Sequence, residues 1–135
     1  MVYKFTKDLE TGNNLIDSEH KQLFEAINNL LAACTTGHGR AEIEQTLNFL
    51  NTYVIKHFGD EENLQLKYHY PDYPNHKRYH ETFKKIVQNL VDEYNQKGAS
   101  IDLVAKTNTN VAGWLLNHIK KEDVKVAAHV RKCTT

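Results

Sequence analysis

Residues 43–64 read IEQTLNFLNTYVIKHFGDEENL, and their pattern predicts the architecture of the chain. Inward-facing positions recur here at steps of three or four residues, which is the period of one helix face. The helix should run for about six turns. Its face is apolar at first, but a histidine and a carboxylate take later positions; the full set is Ile43, Leu47, Leu50, Val54, His57, Glu61 and Leu64.

Three further segments carry the same period, over residues 17–34, 74–94 and 104–123. Asp17 is a candidate N-cap for the first, and Pro74 suits the first turn of the third. The fourth segment has the least regular pattern. Strand-type alternation is absent from the sequence, and glycines and prolines separate the segments. We therefore expect an all-α fold, namely an antiparallel up-down-up-down four-helix bundle with a short N-terminal arm.

The length of 135 residues suits one domain, so we predict a single domain over residues 1–135. Lysine and arginine together number 17, as do aspartate and glutamate, and the formal net charge is zero. A nucleic-acid partner requires a basic surplus that displaces counterions from phosphates. A protein that binds an anionic membrane surface usually carries a surplus of basic residues as well. Neither is an expected partner of this chain.

Export and membrane insertion are not expected from the sequence. No run approaches about 18 apolar residues, and the first residues, MVYKFTKDLE, lack the apolar core of an export signal. The two cysteines, Cys34 and Cys133, lie far apart and outside any C-x-x-C pair. This usage argues against a disulfide framework and a thiolate zinc site. We expect a soluble, cytoplasmic protein, with a monomer favoured.

Histidine is the unusual feature of the composition, with eight residues in 135. Three of them, His38, His69 and His129, are expected at the solvated surface. The other five interrupt the apolar helix faces together with one carboxylate. A buried imidazole left unpaired costs about 1–3 kcal/mol, so a whole set of them predicts a metal site. Its members come from all four predicted helices: His20, His57, Glu61, His76, His80 and His118.

The fourth helix offers two candidates for a second carboxylate ligand. Glu122 follows His118 by four residues and shares its face on an ideal helix. Asp123 follows by five residues and is rotated away by about 140°. Spacing alone favours Glu122. A local widening of the helix, of the kind found at functional sites, would bring Asp123 inward instead.

The order of these residues resembles the ligand pattern of the hemerythrin family, in particular its single-domain bacterial members. The pattern consists of His20, then H-x-x-x-E at 57–61, H-x-x-x-H at 76–80 and H-x-x-x-x-D at 118–123. The flanking segments GNNLIDSEHKQLFEAIN and WLLNHIKKED are also similar, and the resemblance covers nearly the whole chain. One departure is Phe5, where the family often has tryptophan. We expect this difference to concern packing and not the metal site.

The resemblance implies a non-haem centre of two iron ions, whose open coordination position binds dioxygen. It selects Asp123 over Glu122, and it implies an oxo or hydroxo bridge besides two bridging carboxylates. Imidazole and carboxylate ligands suit divalent first-row metals, and seven ligands exceed what one tetrahedral zinc ion can use. The implied ligands are His76, His80 and His118 on one iron, His20 and His57 on the other, and Glu61 and Asp123 as bridges.

The resemblance also implies an apolar pocket around the open iron. Such a pocket keeps water and external reductants away from the bound gas. The alternative for each of these side chains is ordinary core packing, and one side chain can serve in both ways. The candidates are Leu23, Phe58, Trp114, Leu115 and Ile119.

Reversible dioxygen binding for storage, delivery or scavenging is the function that we expect, with dioxygen as the partner and no catalytic residue. The alternatives are an oxidase or peroxidase and an oxygen or redox sensor. Carrier and enzyme differ in whether protons and electrons reach the bound gas.

Overall fold

The computed structural model describes residues 4–134, so residues 1–3 and 135 of the predicted 1–135 domain lie outside it. Three helices, α1 (Asn14–Thr35), α2 (Gly39–Lys67) and α3 (Tyr73–Lys97), have regular α geometry. A fourth helix, α4, spans residues 101–134 and is interrupted by two short π-helical segments. The described chain contains no strand, and α2 packs along α1 and α3, which confirms an all-α fold with bundle packing. Within residues 4–134, every helix falls short of the length or apolar character of a membrane span.

The first helix begins earlier than the predicted N-cap. Asn13 occupies the cap position, and its side-chain oxygen accepts the backbone N–H of Ile16 at 3.1 Å. Asp17 lies inside α1, where its Oδ1 accepts both the backbone N–H and the hydroxyl of Thr11 at 2.7 Å. The prediction that Asp17 caps α1 is therefore wrong. The residue instead fastens the N-terminal arm, residues 4–13, to the helix.

The boundaries of α3 and α4 follow from local sequence signals. Pro74 lies in the first turn of α3, where its missing N–H would have had no helical partner. Gly98 ends the helix at φ 74°, in the left-handed region that glycine adopts without strain. Ser100 then caps α4, because its hydroxyl oxygen accepts the N–H of Leu103 at 3.0 Å.

Helix α4 contains two π segments, Asn108–Ala112 and Ile119–Asp123. At the end of the second, the N–H of Val124 bonds to the carbonyl of Ile119, five residues earlier. A widened turn of this kind adds a residue and shifts the inward face by one position. The shift explains why the fourth segment has the least regular apolar pattern.

The bundle interior is apolar along one half and polar along the other. On α2, Ile43 and Leu50 are fully buried in the apolar half, and His57 and Glu61 occupy the polar half. Helices α1 and α3 also contribute apolar side chains to the cluster around Ile43. Each large aliphatic side chain buried there contributes about 1.5–3 kcal/mol. The apolar half thus stabilises the scaffold that holds the polar residues inside.

Candidate metal centre

The seven predicted ligands converge in the polar half of the bundle. None is more than 5% exposed, so their polar atoms are removed from bulk water. Helix α1 supplies one and the other three helices supply two each: in chain order these are His20, His57, Glu61, His76, His80, His118 and Asp123.

Their donor atoms form two overlapping groups, and within each group all atoms lie within 4.8 Å of one another. One group has three histidines and the other has two, and the same pair of carboxylates belongs to both. A carboxylate can serve two groups because it has two oxygens. The groups are His76, His80 and His118 with Glu61 and Asp123, and His20 and His57 with the same two carboxylates.

Glu61 on α2 lies against histidines of both groups. Its Oε1 is 2.6 Å from Nε2 of His76 and 3.6 Å from Nε2 of His80. Its Oε2 is 3.3 Å from Nε2 of His57 and 3.9 Å from Nε2 of His20. The i, i+4 spacing on α2 and on α3 therefore places two donors of each helix on one inward face.

Asp123 occupies the equivalent position opposite Glu61. Its Oδ2 is 3.0 Å from Nε2 of His20, and its Oδ1 is 3.1 Å from Nε2 of both His76 and His118. Glu122 lies outside this cluster, where it pairs with Lys125 at 3.8 Å. The π segment Ile119–Asp123 causes this exchange, because it brings the fifth residue after His118 inward instead of the fourth.

Several buried donor atoms have no hydrogen-bond partner within the described residues. They include both ring nitrogens of His20, Nε2 of His80 and of His118, and both oxygens of Asp123. Each unsatisfied buried polar group costs about 1–3 kcal/mol. Metal ions would use these lone pairs, and imidazole and carboxylate are the donors that divalent first-row metals prefer. The residues present fit a metal centre.

Two carboxylates outside the cluster contact the Nδ1 atoms of ligand histidines. Glu19 is buried, and its Oε1 is 2.9 Å from Nδ1 of His57. Glu62 places Oε2 at 2.9 Å from Nδ1 of His80. When Nδ1 donates to a carboxylate, the lone pair of Nε2 is left for the centre. Lys56 in turn donates to Glu19 at 2.9 Å, which partly neutralises this buried charge.

Sequence reasoning missed both of these carboxylates. Among the consecutive acids Asp60, Glu61 and Glu62, the helical period places only Glu61 on the inward face, yet Glu62 contacts His80. The sequence does carry one signal for them, because each acid is adjacent to a predicted ligand. Glu19 precedes His20, and Glu62 follows Glu61.

Without metal, the ligand side chains of the centre can bind protons instead. Burial by itself lowers the pKa of His76, but the nearby carboxylates of Asp123 and Glu61 outweigh it and raise the pKa to about 10. Burial by itself raises the pKa of Glu19, but hydrogen bonds from His57 and Lys56 oppose it, and the pKa falls to about 2. Metal binding at this centre must therefore displace protons from imidazole.

The predicted pocket residues lie close to the cluster. Phe58 stacks on His80 with ring centroids 3.8 Å apart and planes at 3°. Trp114 stacks on His118 at 4.5 Å and 15°. Both aromatic rings therefore cover histidines of the three-histidine group. Leu23, Leu115 and Ile119 are at most 2% exposed in the same apolar cluster as Phe58, and their role as a gas pocket remains a prediction.

Two expectations about other residues need correction. The Phe5 ring lies 6.4 Å from the ring of His20 as well as 5.8 Å from that of Phe24, so it adjoins a candidate ligand. His129 is half-buried, and its Nε2 is 2.7 Å from the carbonyl oxygen of Tyr68. His129 is therefore not a solvated surface histidine, because it joins α4 to the end of α2.

Comparison with known proteins agrees with this geometry. A family model described as "Hemerythrin HHE cation binding domain" matches residues 11–130. A bacteriohemerythrin of Stenotrophomonas maltophilia is 34% identical over 125 residues, which cover 92% of this chain and 78% of the relative. A bacteriohemerythrin of Methylococcus capsulatus is 34% identical over 116 residues, covering 84% and 86%.

Among solved structures, one described as a leucine-to-phenylalanine mutant superimposes on this chain with a TM-score of 0.79. It is 28% identical in sequence, and the match covers 96% of this chain and 98% of the other. The match of the family model and the identity to the two bacterial relatives together show that the chain belongs to the hemerythrin family of HHE cation-binding domains.

Proposed function

We propose that this chain binds dioxygen reversibly at a centre of two iron ions and serves as an oxygen store or carrier. Membership of the hemerythrin family supports a non-haem iron, oxygen-binding or sensing role. The observation that carries the finer proposal is the pair of overlapping donor groups that share Glu61 and Asp123. Two groups with a common pair of carboxylates suit two adjacent metal ions better than one.

In this proposal the three-histidine group and the two-histidine group each hold one iron. The shared carboxylates Glu61 and Asp123 would supply ligands to both ions. The two-histidine group has one protein donor fewer, so its ion is the one with room for dioxygen. The proposed ligands are His76, His80 and His118 on the first iron, His20 and His57 on the second, and Glu61 and Asp123 on both.

When bound, the two irons supply the electrons that dioxygen accepts on binding and returns on release. The remaining work belongs to the chain. Glu19 and Glu62 orient His57 and His80 through their Nδ1 atoms. Phe58 and Trp114 cover ligand rings and exclude water beside them. Five imidazoles against two shared carboxylates also give a less anionic centre than carboxylate-rich di-iron bundles, which favours return of the electrons.

Several wider expectations belong to the same proposal. We take the helices to run antiparallel, up-down-up-down, which the short connections between α1, α2, α3 and α4 support. We take residues 1–135 to form one domain that acts as a monomer. The free state of Cys34 and Cys133 supports a reducing compartment such as the cytoplasm.

The test is gas uptake by the iron-loaded, reduced protein. We expect one dioxygen per two irons, a new charge-transfer absorption band, and loss of that band under vacuum over repeated cycles. Sustained consumption of dioxygen with an added reductant, in place of reversible uptake, would show an oxidase or peroxidase. A content of one iron per chain at full occupancy would contradict the di-iron proposal.

A further inference from the structure

A cavity of about 140 Å³ lies between α1, α2 and α4, next to the two shared carboxylates. At its inner end are Glu61 and Asp123, each 1% exposed. At its outer end are the exposed residues Gly12 and Arg131. The cavity therefore leads from the buried carboxylates to the molecular surface. It is separate from the aromatic side of the centre, where Phe58 covers His80.

The inner end of this cavity presents oxygens that are ready to bind a cation. Both oxygens of Asp123 and Oε2 of Glu61 are buried and without a hydrogen-bond partner within the described residues. Carboxylate oxygen is a donor that a hydrated divalent metal accepts readily in exchange for water. An ion that travels inward would meet these oxygens first.

The walls between the two ends are mainly apolar, with Ile16, Leu64 and Ala127 along the passage. An octahedral hydrated ion carries about six waters. These walls offer few groups that could replace them, so an ion exchanges its waters mainly at the carboxylates of the inner end.

A contact that can open spans the outer end and narrows it. Nη1 of Arg131 on α4 donates to the carbonyl oxygen of Thr11 at 3.1 Å. Thr11 belongs to the N-terminal arm, which Asp17 fastens to α1. The contact between Arg131 and Thr11 thus joins the arm to the end of α4 across the cavity. Its guanidinium charge also opposes the passage of a cation.

A second surface recess reaches the centre from another side. It is lined by Tyr79, Trp114 and Asn117 and touches His118, but neither Glu61 nor Asp123 lines it. This recess offers an approaching cation one imidazole edge and the carboxylate of Glu122, which pairs with Lys125 and belongs to neither donor group. It therefore provides a matched place for a control substitution.

We propose that the cavity between α1, α2 and α4 is the route by which iron enters and leaves the centre. The hydrogen bond from Arg131 to Thr11 is the contact that must break for iron to pass. This inference rests on the proposed metal centre, because it assumes that iron binds at Glu61 and Asp123. Opening requires only that Arg131 release Thr11 and that the arm shift, while the bundle stays folded.

The experiment measures iron release from the fully loaded, diferrous protein into an excess of a ferrous-specific chelator under anaerobic conditions. Arg131→Gln should release iron about tenfold faster, since it removes a charge-assisted hydrogen bond whose loss shifts an opening equilibrium by about that factor. Val130→Phe, which adds bulk to the cavity wall, should release iron several-fold more slowly. Asn117→Phe adds a similar bulk to the other recess and should leave the rate unchanged.

A stability control separates local opening from global unfolding. Leu30→Val loosens the apolar half of the bundle, where Leu30 is fully buried, and lowers the thermal midpoint. If iron leaves through the cavity, this variant keeps the release rate of the unmodified chain. Release that follows the thermal midpoint across all four variants would overturn the proposal. So would unchanged rates in both Arg131→Gln and Val130→Phe, or slower release in Asn117→Phe.

The iron content of the loaded variants keeps this test apart from that of the proposed function. Two irons per chain in every variant, with equal release rates, would overturn the route and leave the di-iron centre standing. Fewer than two irons in the unmodified chain would contradict the centre itself.

Discussion

His118 and Asp123 are five residues apart on α4, yet Nε2 of the first lies 3.1 Å from Oδ1 of the second. On an ideal α-helix these two side chains would point about 140° apart. The π segment Ile119–Asp123 removes this difference by inserting one residue into the turn. The widened turn therefore decides which acid of the fourth helix faces the metal centre.

Alanine substitution of the two neighbouring acids tests this assignment. We expect Asp123→Ala to lose most of its iron, because the variant lacks one of the two carboxylates shared by both donor groups. Glu122→Ala should keep its iron, since Glu122 contacts Lys125 and lies outside those groups. Iron per chain after anaerobic loading is the measurement. The opposite ranking would mean that the helix is regular at this point.

Features that depend only on neighbouring residues in the sequence could be predicted, whereas those that depend on contacts between helices could not. The faces of α2 and α3 could be predicted because the positions of His57, Glu61, His76 and His80 depend only on the helical period. The choice between Glu122 and Asp123 could not be made from that period, because a π turn depends on the packing and metal site around it. The resemblance to hemerythrins supplied what local rules lacked.

The residues around the ligands were harder to predict. Glu19 and Glu62 act through contacts between helices, and Glu19 meets His57 from 38 positions away. Charged residues in a helix are usually solvated, so neither acid stood out in the sequence. Asp17 was misassigned for a related reason: its partner is the N-terminal arm at Thr11 and not the first turn of α1.

Removal of Glu19 tests the contact that orients His57. We expect Glu19→Gln to weaken iron binding by about 10–100-fold, which is typical when a carboxylate partner of a metal-bound histidine is lost. The amide can still accept a hydrogen bond from Nδ1, but it no longer carries the charge that favours donation. A competition titration against a chelator gives the affinity. Glu25→Gln, an exposed change on the same helix, is the matched control and should bind iron normally.

Chelation should lower the thermal stability of the protein. The unsatisfied donor atoms of His20, His80 and Asp123 are compensated only when metal is bound, and a ligand that binds the folded state alone stabilises it. At a metal concentration of 100 times the dissociation constant, the gain is about 2.7 kcal/mol. A thermal melt before and after chelation measures the difference. An unchanged midpoint would mean that these atoms are satisfied without metal.

The stability of the metal-free chain should fall on the alkaline side of neutrality. The pKa of His76 is raised from an ordinary 6.5 to about 10 in the folded chain, so the stabilisation is fully present below pH 6.5. It is lost as the pH rises toward 10, where the imidazole gives up its proton. Glu61, whose pKa is lowered, contributes in the opposite sense and is lost on acidification.

Thermal midpoints of the metal-free chain across this range provide the measurement. The iron-loaded chain should lack the alkaline decline, because a metal-bound imidazole has no such proton to lose. His76→Gln should show a smaller decline, because the pKa values of His20 and His80 are also raised by neighbouring carboxylates. A midpoint that stays constant from pH 6.5 to 10 in the metal-free protein would show that His76 is neutral there.

The apolar side of the centre should determine how long bound dioxygen survives. Leu115 is 2% exposed and lies in the same apolar cluster as Phe58 and Ile119. Leu115→Ala would leave a space through which water can approach the irons, and proton delivery to the bound gas favours its irreversible reduction. We therefore expect faster autoxidation of the oxygenated protein and a gain in peroxidase activity.

Leu30→Ala removes the same atoms from the distant apolar half and should destabilise the fold by about 2–5 kcal/mol without shortening the lifetime of the adduct. The decay of the charge-transfer band in air distinguishes the two variants. Equal decay rates would assign Leu115 to core packing alone.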